Sequence, residues 1–199
     1  MPNGLQPDIQ DAYKLCDHIG IQRREINIGG ACSELTRSLE DALGAVNEQM
    51  TTNIPARVRM ATLYAVAQSL KSGGRVANTC NLSEDFIGYS TKFGDSVGDF
   101  SPLLKLMVHE VIQIGHELRL PKELVDKTPS DGLCGKTDED NLGFTYEQLD
   151  HYLMGYTSGD AAIDKKIEAL HAKNMHKLKP MPFFPFALYG NDERKMIGV

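Results

Sequence analysis

The first part of the chain alternates between amphipathic helical segments and short apolar segments. Apolar residues recur at helical spacing in three stretches, and two short stretches beside them have the composition of strands. Alternation of this kind favours a parallel sheet covered by helices, in which ligands bind beyond the carboxyl ends of the strands. We therefore expect a ligand site at Thr79 and the residues after it. The predicted order is a helix from Pro7 to about Ile19, a strand from Glu25 to Ile28, a helix capped by Ser33 that includes Leu35 to Val46, a helix from about Ala56 to Leu70 and a strand from Arg75 to Thr79.

The second half of the chain is predicted to be mostly helical with long loops. The later prolines exclude further helix and leave an aromatic tail, which either covers the core of the subunit or joins a subunit interface. The tail residues are Phe183, Phe184 and Phe186. Three helices are predicted, one from Ser101-Pro102 to about Leu118, one from the capping box of Thr145 and Gln148 through Tyr152, and one marked by Ile163, Ile167 and Leu170.

Composition predicts one domain over residues 1–199. The chain has 199 residues, of which 41% are apolar, and a net charge of -6. This charge argues against nucleic-acid and membrane-surface partners, and no stretch reaches the roughly 20 apolar residues of a membrane span. The four cysteines form no paired motif, so they are predicted to be free thiols of a cytoplasmic protein: Cys16, Cys32, Cys80 and Cys134.

The loop from Gly88 to Pro102 is the most unusual segment of the chain. Its glycines permit backbone shapes that other residues do not adopt, and Lys92, Asp95 and Asp99 place both signs of charge in it. This composition suits a polyanionic ligand with a cation. A solvated glycine-rich connection would have the same composition, so the residues alone leave both readings open.

A family resemblance goes further than composition. The run Ser83-Glu84-Asp85, the loop from Gly88 to Pro102 and the run from Pro129 to Asp150 together resemble the NAD synthetase family, in order and at the expected separations. The stretch from Asn53 to Met60 is similar to the family's arginine-bearing helix start, and His176-Lys177 to its closing basic pair. The resemblance therefore extends over nearly the whole chain.

This resemblance implies a Rossmann-like three-layer α/β/α fold of the adenine nucleotide alpha hydrolase (ATP pyrophosphatase) type. It also implies a ligase that adenylates the nicotinate carboxylate of deamido-NAD with ATP, releases pyrophosphate and lets ammonia displace AMP to give NAD. Mg²⁺, lysines and backbone N–H groups would meet the growing charge of the pyrophosphate. The family works as a homodimer, and its nitrogen comes as ammonia or from a glutaminase domain.

The resemblance assigns roles residue by residue. Five of these residues also have a structural alternative: Thr79 as a turn cap, Glu84 as a first-turn glutamate, Arg57 as a solvated side chain and the closing basic pair as surface. The implied assignments are Thr79 and Ser130 for ATP, Glu84 for Mg²⁺, and Arg57, Lys92, Asp99, His176 and Lys177 for deamido-NAD.

Two departures from the family pattern concern ATP. Val108 stands where much of the family has an ATP-binding lysine, and Lys105 is one helical turn earlier. The phosphate loop Ser-Gly-Gly-x-Asp-Ser is missing, since Ser72-Gly73-Gly74 is followed by Arg75-Val76 and fits a helix end. The first residues resemble the segment after the family's second strand. We therefore expect an N-terminally truncated fold that is inactive by itself.

Two alternatives to a synthetase stay open at this stage. The first is a non-catalytic protein that binds deamido-NAD or dimerises and has lost ATP chemistry, which fits Val108 and the missing loop. The second is another ATP pyrophosphatase, such as a GMP or asparagine synthetase, in which the Lys92 to Asp99 loop is not expected.

Overall fold

The computed structural model describes residues 1–6, 8–130 and 137–182 and shows a helical protein in these ranges. None of the described helices is long and apolar enough to cross a membrane. Predictions made for Pro7, Cys134 and the aromatic tail fall outside the described residues. The helices are α1 (Ile9–Ile19), α2 (Gly29–Leu43), α3 (Glu48–Ser69), α4 (Leu82–Ile87), α5 (Val108–Glu117), α6 (Lys122–Val125), α7 (Asp138–Leu142), α8 (Tyr146–Leu153) and α9 (Ala161–Leu178).

The helices with strong local signals lie where the sequence predicted them. Helix α8 begins with the predicted capping box, in which the Thr145 side chain accepts a hydrogen bond from the backbone of Gln148. Helix α9 carries Ile163, Ile167 and Leu170 toward the core. The local signals of these two helices, the capping box of α8 and the apolar spacing of α9, therefore agree with the tertiary structure.

Three predicted helix starts are wrong. Helix α2 begins at Gly29, ahead of Ser33, and includes both Gly29 and Gly30. Helix α3 begins at Glu48, where the Asn47 side chain accepts from Met50 N at 2.8 Å, and Pro55 lies inside the helix. Helix α5 begins at Val108 and not at Ser101, whose hydroxyl donates to Asn78 Oδ1 at 3.2 Å.

Both predicted strands are wrong within the described residues. The segment from Arg75 to Thr79 makes one isolated parallel bridge, between Ala77 and Phe100. The segment ending at Ile28 has a single backbone hydrogen bond to the first residues, from Ile28 N to Pro2 O at 2.9 Å. A strand needs a repeated ladder of such bonds. The described residues therefore show no sheet, and the three-layer arrangement stays a prediction.

Ser72-Gly73-Gly74 lies in the turn after α3, as predicted for a helix end. Gly73 has a positive φ of 71°, and its N–H donates to Leu70 O at 2.8 Å. Both features belong to a chain that leaves a helix. This triplet is therefore not a phosphate loop.

Two apolar clusters hold the described residues together. The larger joins α4, α7, α8 and α9, and the smaller joins α2 and α3. The larger cluster therefore fixes α4, which leads into the glycine-rich loop, against the last helix. Its buried members are Ile87, Leu142, Phe144, Tyr146, Leu149 and Ile167, and those of the smaller are Ile28, Cys32 and Ile54.

Candidate functional site

Four of the predicted ligand residues converge on the loop between residues 88 and 99. Lys92 Nζ donates to the backbone oxygen of His176 at 2.9 Å. Arg57 Nε, from α3, donates to Lys92 O at 3.3 Å. Lys177, next to His176 at the end of α9, also reaches this loop. Basic side chains from three distant parts of the sequence therefore meet at one loop, where His176 contributes its backbone oxygen, and such a group is suited to a polyanion.

Lys177 is bound to the loop backbone. Its Nζ donates to Gly88 O at 2.7 Å and to Ser90 O at 2.9 Å. Burial lowers the pKa of Lys177, and nearby Lys173 lowers it further, whereas Asp95 raises it. The ammonium group is half-buried and already has two carbonyl acceptors.

Asp99 has a different set of contacts from the basic group. Its Oδ2 accepts from Val76 N at 2.7 Å, and its own N–H donates to Val76 O at 2.7 Å. The carboxylate thus ties the glycine-rich loop to the segment before α4. The sequence could not reveal this contact. The N–H of Val76 is available to the Asp99 side chain only because no neighbouring strand among the described residues supplies a carbonyl for it.

Glu84 lies in the first turn of α4, among other acidic groups. Its Oε2 accepts from Asn81 N at 3.1 Å, and Asn81 Oδ1 accepts from Glu84 N at 3.0 Å, which completes a capping box. Burial raises the pKa of Glu84 to about 7, and the charges of Asp138 and Asp85 add to the rise. The helix-start alternative and the ligand assignment are therefore compatible in one residue.

The two residues assigned to ATP lie at exposed positions. Thr79 is exposed between the buried residues Asn78 and Cys80, directly before α4. Ser130 is also exposed, at the edge of the described range. Thr79 lies five residues before Glu84, and both ATP assignments stay predictions.

Comparison with known proteins places this chain in a family. The profile of NAD synthase matches residues 1–181. The chain belongs to the NAD synthase family. An NH3-dependent NAD+ synthetase of Thermococcus sibiricus is 37% identical, with 93% of this chain and 76% of the relative covered. One from Finegoldia magna is 38% identical, with 94% and 75% covered.

Solved structures give the same family. The NMN synthetase of Francisella tularensis superposes with a TM-score of 0.83 at 35% identity, covering 92% of this chain and 75% of that one. The NH3-dependent NAD synthetase of Campylobacter jejuni gives a TM-score of 0.71 at 25% identity, covering 92% and 76%. The helical arrangement described above is thus that of NAD synthase structures.

Glu84 is one oxygen donor of the kind that Mg²⁺ prefers. No group of three or more metal-binding side chains occurs within the described ranges. Mg²⁺ sites in nucleotide enzymes commonly use one or two carboxylates, with phosphate oxygens and water completing the octahedron. Glu84 is a hard oxygen donor with Oε2 alone in the capping box, and a bound cation would oppose the burial and the neighbouring carboxylate charges that raise its pKa.

Val108, where much of the family has a lysine, has a packing role in this member. Its side chain packs against the larger apolar cluster, and its N–H donates to Ser83 Oγ at 3.1 Å. Lys105 lies exposed in the turn before α5. Val108 is partly buried, so a lysine at this position would lose the apolar contact that valine makes with the cluster.

Sequence reasoning missed two polar residues of α9 and a buried aspartate. His171 and Asn174 contact the end of α4. Asp150 is 3% exposed and accepts from the Ser83 hydroxyl and from both the N–H and Nδ1 of His109. The only signal in the sequence was the spacing of three between His171, Asn174 and Lys177, because residues three apart share a helix face.

Proposed function

We propose that this protein catalyses the ATP-dependent amidation of deamido-NAD to NAD through an adenylated intermediate, with release of AMP and pyrophosphate and ammonia as the nitrogen donor. The observation that carries the proposal is the NAD synthase match over residues 1–181. Relatives that share 37% and 38% of their residues with this chain are named NH3-dependent NAD+ synthetases. Those names do not favour a non-catalytic protein.

Arg57, Lys92, His176 and Lys177 are the proposed deamido-NAD group. Their convergence on one loop supports the proposal, because the dinucleotide carries a pyrophosphate and a carboxylate that positive groups would bind. Asp99 would act on the same ligand through the loop backbone that it holds. Positive groups that are already in place lower the barrier without further reorganisation.

Thr79 and Ser130 are the proposed ATP contacts, and Glu84 is the proposed Mg²⁺ ligand. When bound, Mg²⁺ would neutralise charge on the departing pyrophosphate. Glu84 would hold the cation in its ionised form, and the exposed Thr79 hydroxyl is five residues away on the same segment. Val108 leaves this side of the site with one cation fewer than much of the family has.

Binding and turnover measurements test the proposal. We expect calorimetry to give a saturable heat with deamido-NAD, and Lys92→Met to weaken binding by about tenfold, as for the loss of one charge-assisted hydrogen bond. Lys165→Met, an exposed lysine on α9, is the control. A folded chain that does not bind deamido-NAD would overturn the proposal. NAD formation from ATP, deamido-NAD and ammonium would confirm it and refute the expectation that this chain alone is inactive.

A second candidate function is the synthesis of NMN by amidation of nicotinate mononucleotide. The supporting observation is the TM-score of 0.83 with the Francisella tularensis NMN synthetase, against 0.71 with the Campylobacter jejuni NAD synthetase. Both reactions amidate the same nicotinate carboxylate, so the mononucleotide replaces deamido-NAD in the same calorimetry. Tighter binding of the mononucleotide would favour this candidate.

Several further properties belong to the proposal. We infer a single three-layer domain over residues 1–199, a homodimer and a cytoplasmic location. Free thiols at Cys16, Cys32 and Cys80 suit a reducing compartment. Sedimentation at micromolar concentration checks the dimer, and a monomer under those conditions would refute it.

A further inference from the structure

Three side chains on one face of α9 bind the backbone at the end of α4. They come from residues 171, 174 and 177, which are three apart and therefore neighbours on the helix surface. Each side chain binds a backbone carbonyl oxygen, and the three carbonyls belong to consecutive residues, 86, 87 and 88. The contacts are His171 Nδ1 with Phe86 O at 2.6 Å, Asn174 Nδ2 with Ile87 O at 2.8 Å, and Lys177 Nζ with Gly88 O at 2.7 Å and Ser90 O at 2.9 Å.

These contacts satisfy groups that a helix leaves without partners. The last four carbonyl groups of an α-helix accept no hydrogen bond from an N–H of the same helix. In α4 the carbonyls of Phe86 and Ile87 belong to this set, and Gly88 follows as the C-cap. Because α4 has only six residues, its end depends on partners from elsewhere in the chain.

His171 contributes both a hydrogen bond and a ring contact. Because a carbonyl oxygen only accepts, Nδ1 of His171 carries the proton shared with Phe86 O. The imidazole also stacks on the Phe86 ring, with centroids 4.1 Å apart and planes 15° apart. The contact therefore fixes both the tautomer and the orientation of the ring.

The same helix also holds the loop that follows α4. Lys92, in the middle of this loop, donates to the backbone oxygen of His176 on α9. The loop is therefore attached to α9 at its beginning through Lys177 and in its middle through Lys92. A shift of α9 would move both attachment points together.

We propose that His171 and Asn174 are positioning residues which, with Lys177, hold the end of α4 and the loop 88–99 in the conformation that binds deamido-NAD. Lys177, a member of the proposed deamido-NAD group, also holds the loop backbone in this arrangement. The part of the proposal that concerns deamido-NAD rests on the proposed function. The part that concerns the loop does not.

Hydrogen exchange on the ligand-free chain tests the loop. Asn174→Asp removes the donor to Ile87 O with little change in volume, and His171→Phe keeps a ring but removes the other donor. We expect the amides of Gly94 and Val97, which bond within the loop, to exchange about fivefold faster in each variant, as for the loss of one net hydrogen bond. Unchanged exchange at these amides would overturn the proposal.

A destabilised control separates positioning from loss of stability. Ile163→Val removes one methylene from the same helix at its contact with the larger cluster. If this variant, at an equal fall in melting temperature, speeds exchange in the loop as much as Asn174→Asp does, the effect is general loosening and the proposal fails. If the loop amides exchange more slowly in Ile163→Val than in Asn174→Asp, the result supports a positioning role for Asn174.

Calorimetry tests the link to the ligand. We expect Asn174→Asp to raise the Kd for deamido-NAD about fivefold, the same factor as for exchange. Lys165→Met, which changes an exposed lysine of the same helix, should bind deamido-NAD as tightly as the parent. If the wild-type chain does not bind deamido-NAD, the proposed function is refuted. The exchange result still decides the role of His171 and Asn174 in that case.

Discussion

Replacing Gly88 by alanine tests how closely α9 approaches the end of α4. Gly88 is the C-cap of α4 with a φ of 63°, and a Cβ built on it would lie 2.3 Å from Asn174 Cβ. Gly20 is the C-cap of α1 with a nearly equal φ of 68°, and a Cβ there meets nothing within 4 Å. The two glycines therefore differ in packing and share their backbone conformation.

The expected magnitude follows from this difference. Alanine in the left-handed region costs roughly 1–2 kcal/mol at either position, and the gain from a less flexible unfolded chain also cancels between them. At position 88 the carbon atoms must separate by more than about 1 Å to reach ordinary contact. Overpacking of this kind costs about 1–3 kcal/mol, and losing the bond from Asn174 to Ile87 O costs about 1 kcal/mol. We expect Gly88→Ala to be more destabilising than Gly20→Ala by about 2–4 kcal/mol.

Urea unfolding followed by circular dichroism measures both free energies. A double-mutant cycle adds a specific check, because Asn174→Gly removes the atom that clashes. In that background the cost of Gly88→Ala should fall to the cost of Gly20→Ala. Equal costs for the two alanine variants in the parent chain, or an unchanged difference in the Asn174→Gly background, would refute the close packing of α9 on α4.

Three further predictions concern buried polar groups. Burial raises the pKa of Glu84 from 4.5 to about 7, so its contribution to stability is full below about pH 4.5 and is lost as the pH rises through about 7. Between these pH values the free energy of unfolding of the parent chain should fall by up to roughly 3 kcal/mol, and Glu84→Gln should remove this fall. Glu147→Gln, at an exposed position, should leave the dependence of the free energy of unfolding on pH unchanged. Asp150→Ala should lower the free energy of unfolding by about 2–5 kcal/mol in urea titrations, and a loss below about 1 kcal/mol would contradict its buried role. Burial raises the pKa of Cys80 to about 12, so iodoacetamide should label Cys16 before Cys80 in peptides analysed by mass spectrometry, and the reverse order would refute the burial.

The helices that could be predicted are those with signals inside the helix itself. Helix α8 follows from the Thr145 capping box and α9 from apolar residues at helical spacing. The start of α5 could not be predicted, because Ser83 Oγ and the Asp150 carboxylate accept the N–H groups of Val108 and His109. These partners are 25 and 41 residues away along the chain.

The strand predictions failed for a related reason. Strand composition describes one segment, whereas a strand exists only when a second segment supplies a ladder of hydrogen bonds. Residues 75–79 form one bridge, between Ala77 and Phe100, with backbone bonds from Asp99 N to Val76 O and from Asn78 N to Phe100 O, whereas Val76 N donates to the Asp99 side chain. Composition alone could not distinguish these outcomes.

The candidate site divides in the same way between sequence and structure. The ordered motifs from Arg57 to Lys177 determined the family and the kinds of groups in the site, because residue type and spacing are properties of the sequence alone. Only the tertiary structure decided what those groups do. It engages the Asp99 carboxylate with Val76 and the Lys177 ammonium with two carbonyls, and it raises the pKa of Glu84. Distance, burial and hydrogen-bond partners depend on segments that meet only after folding.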